Sequence, residues 1–491
     1  MKKIKSIHFV GIKGAGMTPL AIMAKEAGIR ITGSDIGDVF ITDEILKKRH
    51  ISVFQGFNPS HVGDVDLVVT TGAHGGLKNL EVKEAETKGI PVVTQGEAVG
   101  LFMDGKIFGR KFVGISVCGT NGKTTTSAMV ATILKNANLG PSYLIGTSFV
   151  ESLGFGGHIG KGKYLVAEAD EYATDPTFDK TPKFLWQNPK ILVITNIDFD
   201  HPDIYPSIKT VKEAFKKFVS KLSQGGSIVA FGDGPNVREV VNDFEGHKIT
   251  YGMDERNDYV VSDIKTENTK TKFRLKNNKG FDCLFKLSIF GEQNVLNATA
   301  AILVGKYIEL SLDKLKRGIF LYTGSKRRSE FIGKLSSGAL VFDDYAHNPT
   351  KVSATLKAFR AAYPKKRIVC IFQPHTYSRT KSLFEQFSSS FKDADTVIIT
   401  DIYASLREKK DSSVSSKRLA DAIRFSSRRS PFGHLRCAVV FLAKLQDVVE
   451  YINSKRYGDD TIIITMGAGD IYKINSKFEY LPARQAGRNP K

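Results

Sequence analysis

Residues 118–126 read Cys-Gly-Thr-Asn-Gly-Lys-Thr-Thr-Thr. The apolar run Phe112 to Val117 before them predicts a buried strand, and Ser127 to Asn136 after them predicts a helix. A strand, a glycine-containing turn and a Lys-Thr pair opening a helix make a phosphate cradle. Backbone N–H groups and the helix dipole face the anion, Lys123 supplies a compact cation, and the Thr124 hydroxyl suits Mg²⁺. Val117 stands where the pattern G-x-x-x-x-G-K-[ST] puts its first glycine, so this is a shortened form. The candidate nucleotide contacts are Gly119, Thr120, Asn121, Gly122, Lys123, Thr124 and Thr125. The plainer alternative is a glycine turn with an exposed lysine, and the flanking strand and helix weigh against it.

Two acidic clusters belong beside this cradle. Glu168-Ala-Asp-Glu171 ends the strand expected at Tyr164 to Ala167, and Asn196-Ile-Asp-Phe-Asp-His201 ends the next, Ile191 to Thr195. Ligands bind at such strand ends in open parallel sheets. Crowded carboxylates repel unless a cation neutralises them, and hard oxygen donors suit Mg²⁺. His201 reads as a metal or phosphate contact. It lacks the spaced partners of a zinc site.

Toward the N-terminus, Gly11-Ile-Lys-Gly14-Ala-Gly16 follows the strand expected at Ser6 to Val10 and opens a helix from Met17. Glycines there let the backbone approach a diphosphate, or serve only a tight turn. Ser34-Asp35 ends the second strand, where a polar ligand contact is expected. In Gly291 to Ala298, Asn294 and Asn297 either contact nucleotide or cap the helix expected over Val295 to Tyr307. Arg327 and Arg328 sit at an expected hinge, where an arginine can reach a γ-phosphate. Asp343-Asp-Tyr345-Ala-His347-Asn-Pro349 and Phe372-Gln-Pro-His375-Thr-Tyr-Ser-Arg379-Thr380 each follow a strand. Arg379, with His375 nearby, suits an amino acid's carboxylate.

Strand and helix patterns alternate over the first hundred residues and again after about residue 339, which predicts parallel sheets with helices on their faces. Residues 248–290 read as short antiparallel strands, and the Ser/Arg-rich stretch 425–434 as a loop. The chain has 491 residues, 41% of them hydrophobic, enough for about three domains with ample core. Its net charge of +20 comes from dispersed residues without a nucleic-acid-reading motif. Neither a nucleic-acid nor a membrane partner is therefore expected, since no apolar run reaches the ~18–20 residues of a membrane span. Cys118, Cys283, Cys370 and Cys437 form no CxxC, and a reducing cytoplasm is expected.

Together these segments resemble the Mur ligase family over the whole chain. The resemblance is carried by Ile7-His-Phe-Val-Gly11, Gly33-Ser-Asp35, the cradle, both acidic clusters, Gly291 to Asn297, Lys326-Arg-Arg328, Asp343 to His347, Phe372 to Thr380, Asp401-Ile-Tyr403 and Met466-Gly-Ala-Gly-Asp470. It implies an α/β chain of three domains: a Rossmann-like UDP-sugar-binding domain (1–108), a P-loop ATPase-like central domain with a parallel sheet plus a small antiparallel sheet (109–324), and a Rossmann-like amino-acid-binding domain (325–491). The implied reaction is ATP-dependent ligation of L-alanine to UDP-N-acetylmuramate through an acyl phosphate, in peptidoglycan precursor synthesis. ATP and Mg²⁺, two ions in all, are the implied cofactors.

By the same resemblance Lys123, Glu171, His201, Arg327 and His347 are catalytic. Thr124 and Glu171 hold one Mg²⁺ and His201 the second. Asn294, Arg327, Asp343 and Tyr345 join the cradle in binding ATP. Gly14, Ala15, Gly16, Met17, Asp35 and Thr71 take the sugar nucleotide, and His375 and Arg379 the amine. Asn121 and Asn348 replace histidines of the family pattern, and Thr71-Gly-Ala-His-Gly-Gly76 with Asn79-Leu-Glu81 also departs from it. Glu171-Tyr172, Phe178-Asp-Lys180 and Lys183-Phe184 resemble the member that attaches a recycled murein tripeptide, which is the alternative amine. Lys123→Ala is expected to abolish ligation with little loss of fold, its side chain lying in a cleft.

Overall fold

The computed structural model describes residues 4–267, 269–404, 408–428 and 437–481. They form two compact units: residues up to 264, 272–287 and 294–325, and residues 265–271, 288–293 and from 326 on.

The first unit begins with β1 (Ser6–Val10), α1 (Met17–Glu26), β2 (Arg30–Asp35), α2 (Asp43–Lys48), β3 (Val53–Gln55), β4 (Leu67–Thr70), α3 (Leu80–Thr87), β5 (Val92–Thr94) and α4 (Gln95–Met103). The strands pair in the order β3-β2-β1-β4-β5, all parallel. The strand order reverses between β1 and β4, so the turns after these two strands border the crevice where such sheets bind ligands.

The unit continues with β6 (Val113–Cys118), α5 (Lys123–Asn136), β7 (Ser142–Val150), β8 (Gly154–His158), β9 (Tyr164–Glu168), the β10–β11 hairpin (Ala173–Asp175, Asp179–Pro182), β12 (Ile191–Ile194), α6 (Ile208–Val219), β13 (Ser227–Phe231), α7 (Pro235–Val241), β14 (His247–Gly252), β15 (Tyr259–Glu267), β16 (Lys270–Lys276), β17 (Asp282–Leu287), α8 (Glu292–Tyr307) and α9 (Leu312–Phe320). One sheet runs β17-β16-β15-β14-β13-β12-β6-β9-β7-β8. β6 lies between β9 and β12, parallel to both. The strands expected within 248–290 form, but they extend the central sheet. β13 and β14 pair parallel, because α7 carries the chain back over the sheet before β14, and β14 pairs parallel with the start of β15 at Tyr251–Tyr259 and Gly252–Val260.

A single apolar cluster joins the two sheets of this unit. Phe9, Leu20, Met23, Phe102 and Met103 share it with Leu144, Leu165 and Ala167. Glycines set the closeness: a Cβ at Gly157 would overlap the Pro19 carbonyl, and one at Gly100 the Trp186 carbonyl.

Glu81 anchors the N-terminal sheet. It is fully buried and accepts hydrogen bonds from Ser34 Oγ, His8 Nε2 (3.3 Å), His61 Nδ1 (2.8 Å) and the Asn58 N–H (3.1 Å). Burial pushes its carboxyl up, but the bonds from His8, Ser34, Asn58 and His61 outweigh this and hold it below the usual carboxylate range. The folded state therefore gains stability from Glu81 above pH ~4 and loses it as pH falls further. Glu81→Gln should cost about 2–4 kcal/mol at neutral pH. Urea denaturation across pH 3–7 should also show a flatter pH dependence than wild type.

The second unit holds β18 (Glu330–Lys334), β19 (Leu340–Asp344), α10 (Pro349–Ala362), β20 (Arg367–Phe372), α11 (Tyr377–Ser382), α12 (Phe384–Ser388), β21 (Thr396–Ile399), α13 (Ser416–Arg428), β22 (Ala438–Phe441), α14 (Leu445–Lys455) and β23 (Thr461–Met466). Its sheet runs β18-β19-β23-β20-β21-β22, parallel except for the antiparallel edge strand β18. The stretch 425–434, expected as a loop, is helical to Arg428, and the rest of it lies outside the described residues. No helix of the described residues is long and apolar enough to cross a membrane.

Candidate active site

The cradle forms as its sequence predicts. β6 ends at Cys118 and α5 begins at Lys123. Between them the backbone takes left-handed φ values at Gly119 (129°) and Gly122 (84°). A Cβ at Gly119 would overlap Thr195 Oγ1 and sit 2.8 Å from the Asn196 carbonyl oxygen, and one at Gly122 would overlap Asn297 Oδ1. Asn196 fixes the loop from both sides: its Oδ1 accepts the Asn121 N–H (2.9 Å) and its Nδ2 donates to the Asn121 carbonyl (3.1 Å). Thr120 Oγ1 donates to the Asp198 carbonyl (3.1 Å) and accepts the Asp198 N–H (2.9 Å). Thr125 is buried in the first turn of α5.

Both acidic clusters meet this loop, because β9 and β12 flank β6. Lys123 Nζ donates to Glu171 Oε2 (2.7 Å), Glu171 Oε1 (3.0 Å) and the Gly119 carbonyl (2.7 Å). Thr124 Oγ1 donates to Glu168 Oε1 (2.9 Å), and His201 Nε2 lies 3.7 Å from Glu171 Oε1. His201 has φ 56° and rests against the Tyr172 ring, 4.8 Å between centroids. Burial works against charge on Lys123, but Glu171, then Asp170, hold its ammonium above its ordinary range. Burial likewise opposes ionisation of Asp170, and Lys183, Lys123 and His201 outweigh it, holding the carboxyl low.

The Lys123 side chain is 13% exposed and that of Glu171 4%, so Lys123 belongs to a buried ion pair. This weighs against the expectation that removing Lys123 costs little of the fold: breaking such a pair strands a buried carboxylate. Asn294, expected as a nucleotide contact or a cap, lies within the first turn of α8, which begins at Glu292.

Among the described residues no group of three or more His, Cys, Asp or Glu side chains is arranged to hold a metal. Mg²⁺ does not require one. It binds through one or two carboxylates and completes its shell with water and phosphate oxygens. The Thr124 hydroxyl with Glu168 and Glu171 is a hard-oxygen set of that kind, and the buried Asn121 Oδ1 has no hydrogen-bond partner. These residues fit the ion.

At the N-terminal crevice, Gly11 (φ 79°) directs its N–H to the Ser34 carbonyl (2.9 Å), and a Cβ there would overlap Thr71 Cγ2. Asp35 Oδ2 accepts the Lys13 N–H (2.8 Å), and Asp35 Oδ1 lies 3.6 Å from His74 Nε2. Burial raises the Asp35 carboxyl above its ordinary range despite the N–H groups of Lys13 and Ile36. Gly14, Ala15 and Gly16 form the turn before Met17, with Ala15 and Gly16 exposed. Gly14 has an ordinary φ, and the nearest atom to a Cβ there is the Gly11 carbonyl oxygen at 3.4 Å. Neither backbone conformation nor packing demands glycine at 14. Gly14→Ala should keep stability within about 0.5 kcal/mol and weaken sugar-nucleotide binding at least tenfold, as read by titration calorimetry beside a melting curve.

The second unit gathers its candidates at the carboxyl ends of β19, β20 and β23. Arg327 was expected as an arm reaching from a hinge, but it is buried. Its Nε donates to Asp343 Oδ2 (3.0 Å) and its Nη2 to the Gly467 carbonyl (2.6 Å), and its guanidinium stacks on Tyr345 and Tyr472. Asp343 also accepts from Thr465 Oγ1 (2.8 Å). His347 Nδ1 meets the Tyr345 carbonyl (2.8 Å), and the His347 and His375 rings lie 6.2 Å apart. Arg379 Nη1 is 3.2 Å from His375 Nδ1. Arg379 and Thr380 lie inside α11, which Thr376 (φ 68°) caps, its Oγ1 accepting the Arg379 N–H (3.4 Å).

Three family descriptions match in order: Mur ligase family, catalytic domain (6–107); Mur ligase middle domain (117–305); and Mur ligase, glutamate ligase domain (327–469). The UDP-N-acetylmuramate–L-alanine ligase of Caldanaerobacter subterraneus subsp. tengcongensis is 38% identical over 97% of this chain and 98% of its own length. That of Acetivibrio thermocellus is 37% identical, over 97% of this chain and 96% of its own. Among solved structures, the UDP-N-acetylmuramate–alanine ligase of Thermotoga maritima superposes with a TM-score of 0.78 at 26% identity, covering 96% of this chain and 98% of that one. A murein peptide ligase from Psychrobacter arcticus shares the fold with a TM-score of 0.67 at 23% identity, covering 96% and 98%. With matches to all three family domains and full-length relatives above one-third identity, this chain belongs to the Mur ligase family.

Proposed function

We propose that this chain is an ATP-dependent amide ligase that joins L-alanine to the lactyl carboxylate of UDP-N-acetylmuramate. The observation that carries the reading is the cradle's Lys123–Glu171 pair, set between two acidic strand ends in a chain whose full-length relatives bear that activity. We place domain boundaries near residues 108 and 324. Four free cysteines support a reducing cytoplasm.

The chemistry needs no protein nucleophile. A carboxylate attacks the γ-phosphate of ATP, the β–γ anhydride bond breaks and ADP leaves; the amine then displaces phosphate from the acyl phosphate and gives up a proton. Both steps depend on positioning and charge neutralisation. Lys123 holds the β- and γ-phosphates, and the N–H groups of the glycine turn orient them. Thr124 and Glu171 would hold Mg²⁺, with His201 beside a second ion. Such ions supply charge neutralisation between the anionic carboxylate and the anionic phosphate. The turn 11–16, Asp35 and Thr71 position the sugar nucleotide, Asn294, Arg327, Asp343 and Tyr345 serve the nucleotide, and His347, His375 and Arg379 receive the amino acid.

A phosphate-release assay tests the reading. Release should require ATP, UDP-N-acetylmuramate and L-alanine together. Release with murein tripeptide but not L-alanine would transfer the assignment to the tripeptide ligase. No release with any amine would overturn it.

A further inference from the structure

We propose that Asp175 is a positioning residue that couples the sugar-nucleotide loop, residues 71–78, to Glu171 of the phosphate site. The inference rests on the ligase reading and deepens it. Asp175 is 1% exposed at the end of β10, outside every motif that carried the family resemblance. Its Oδ2 accepts the Leu77 N–H (3.1 Å), while its Oδ1 accepts the N–H groups of Thr177 (2.9 Å) and Phe178 (3.1 Å). One buried carboxylate thus holds both its own turn and the neighbouring loop.

The loop is shaped to receive it. A Cβ at Gly76 (φ 53°) would overlap Asp175 Oδ2, and one at Gly72 would sit 2.5 Å from the Thr174 carbonyl oxygen. Lys78 Nζ stands 4.4 Å over the Phe178 ring. The glycine-rich departure at Thr71 to Gly76 is what lets the hairpin tip seat.

The base of the same hairpin is tied to the acidic segment. The Lys183 N–H donates to the Tyr172 carbonyl (3.0 Å), the Phe184 N–H to the Asp170 carbonyl (3.0 Å), and Tyr205 Oη to the Glu171 carbonyl (2.6 Å). At the other end, Thr71 and His74 abut Gly11 and Asp35 in the sugar-nucleotide crevice. A continuous set of contacts therefore runs from that crevice through Asp175 to the segment that carries Glu171, the carboxylate that holds Lys123. Seating the loop holds the hairpin, and the hairpin holds Glu171.

The test is titration calorimetry on the full chain, with a non-hydrolysable ATP analogue and Mg²⁺, with and without saturating UDP-N-acetylmuramate. In wild type the sugar nucleotide should tighten the analogue by a factor of roughly 5–150, the usual span of coupled sites. In Asp175→Ala that factor should fall to within about twofold of one. Asp175→Asn keeps the volume but offers a single acceptor oxygen, so it should lie between. Should Asp175→Ala fail to fold, Asp175→Asn gives the readout, its coupling factor expected below that of wild type. Arg49→Ala loosens another contact in this unit, where Arg49 pairs with Glu26 and lies over Phe155. It should leave the factor unchanged, which separates coupling from general loosening.

A wild-type factor of one, or full coupling kept in the Asp175 variants, overturns the inference and leaves the ligase reading standing. A wild-type chain that binds no UDP-N-acetylmuramate overturns both.

Discussion

Lys123→Ala should show no ligation above background, a fall of at least ~10³ in kcat, and a clear loss of stability. The catalytic part follows from phosphoryl transfer, where charge neutralisation and alignment supply most of the acceleration. Lys123 Nζ is the cation nearest Glu171 in the cradle, and the loop carbonyl of Gly119 fixes it there. The stability part follows from burial. Breaking the pair leaves Glu171, 4% exposed, without its partner, which costs about 3–5 kcal/mol. Saturating Mg²⁺ should restore part of the stability but not the rate, because a cation near the carboxylate replaces the lost charge without holding the phosphates. Phosphate release and calorimetric melting with and without Mg²⁺ check the two parts separately. Near-normal turnover would remove Lys123 from the phosphate site.

Gly119→Ala should be nearly as damaging without touching any charge. A residue with a side chain strongly resists φ 129°, and the added methyl would meet Thr195 Oγ1 and the Asn196 carbonyl. Thr195 and Asn196 cannot yield freely, because Thr195 Oγ1 and Asn196 Nδ2 both bond to the Asn121 carbonyl. The turn must shift, and its N–H groups then no longer converge on one anion. A loss of ~10²–10³ in kcat/KM for ATP is expected, with about 2–4 kcal/mol of stability. Gly14→Ala, with neither obstacle, is the control for the stability effect of replacing a glycine in such a turn. An active, stable Gly119→Ala enzyme would mean that the turn does not bind phosphate.

The phosphate site was legible because its parts are local. A strand, a turn with glycines, and Lys-Thr at a helix start follow one another without a break from Val113 to Thr124. The acidic strand ends were legible because apolar runs predict strands and parallel sheets gather their carboxyl ends. What joins distant segments was not. Asp175 lies in a short polar hairpin with no period to mark it, and its meaning depends on a loop 98 residues away. Glu81 stood in the sequence only as part of a departure from the family pattern, yet it is an interior anchor, since only the folded sheet brings His8, Ser34 and His61 around it. Arg327 read as a reaching arm because a charged run at a boundary looks solvated, and its acceptors Asp343 and Gly467 come from other strands. β8, Gly-Phe-Gly-Gly-His, escaped notice because three of its five residues are glycines, which carry little strand propensity; Gly157 is set close to Pro19 of α1 and Gly156 to the carbonyls of Ile145 and Thr147.

The apolar cluster that Phe9, Leu20 and Phe102 share with Leu144 and Leu165 bears on how this enzyme can be taken apart. A fragment severed at residue 108 would carry half of an interior as its outer surface, and should clump or stay unfolded when produced alone. Dissection should cut instead near residue 325, so that the sugar-nucleotide lobe keeps the β-strands it leans on.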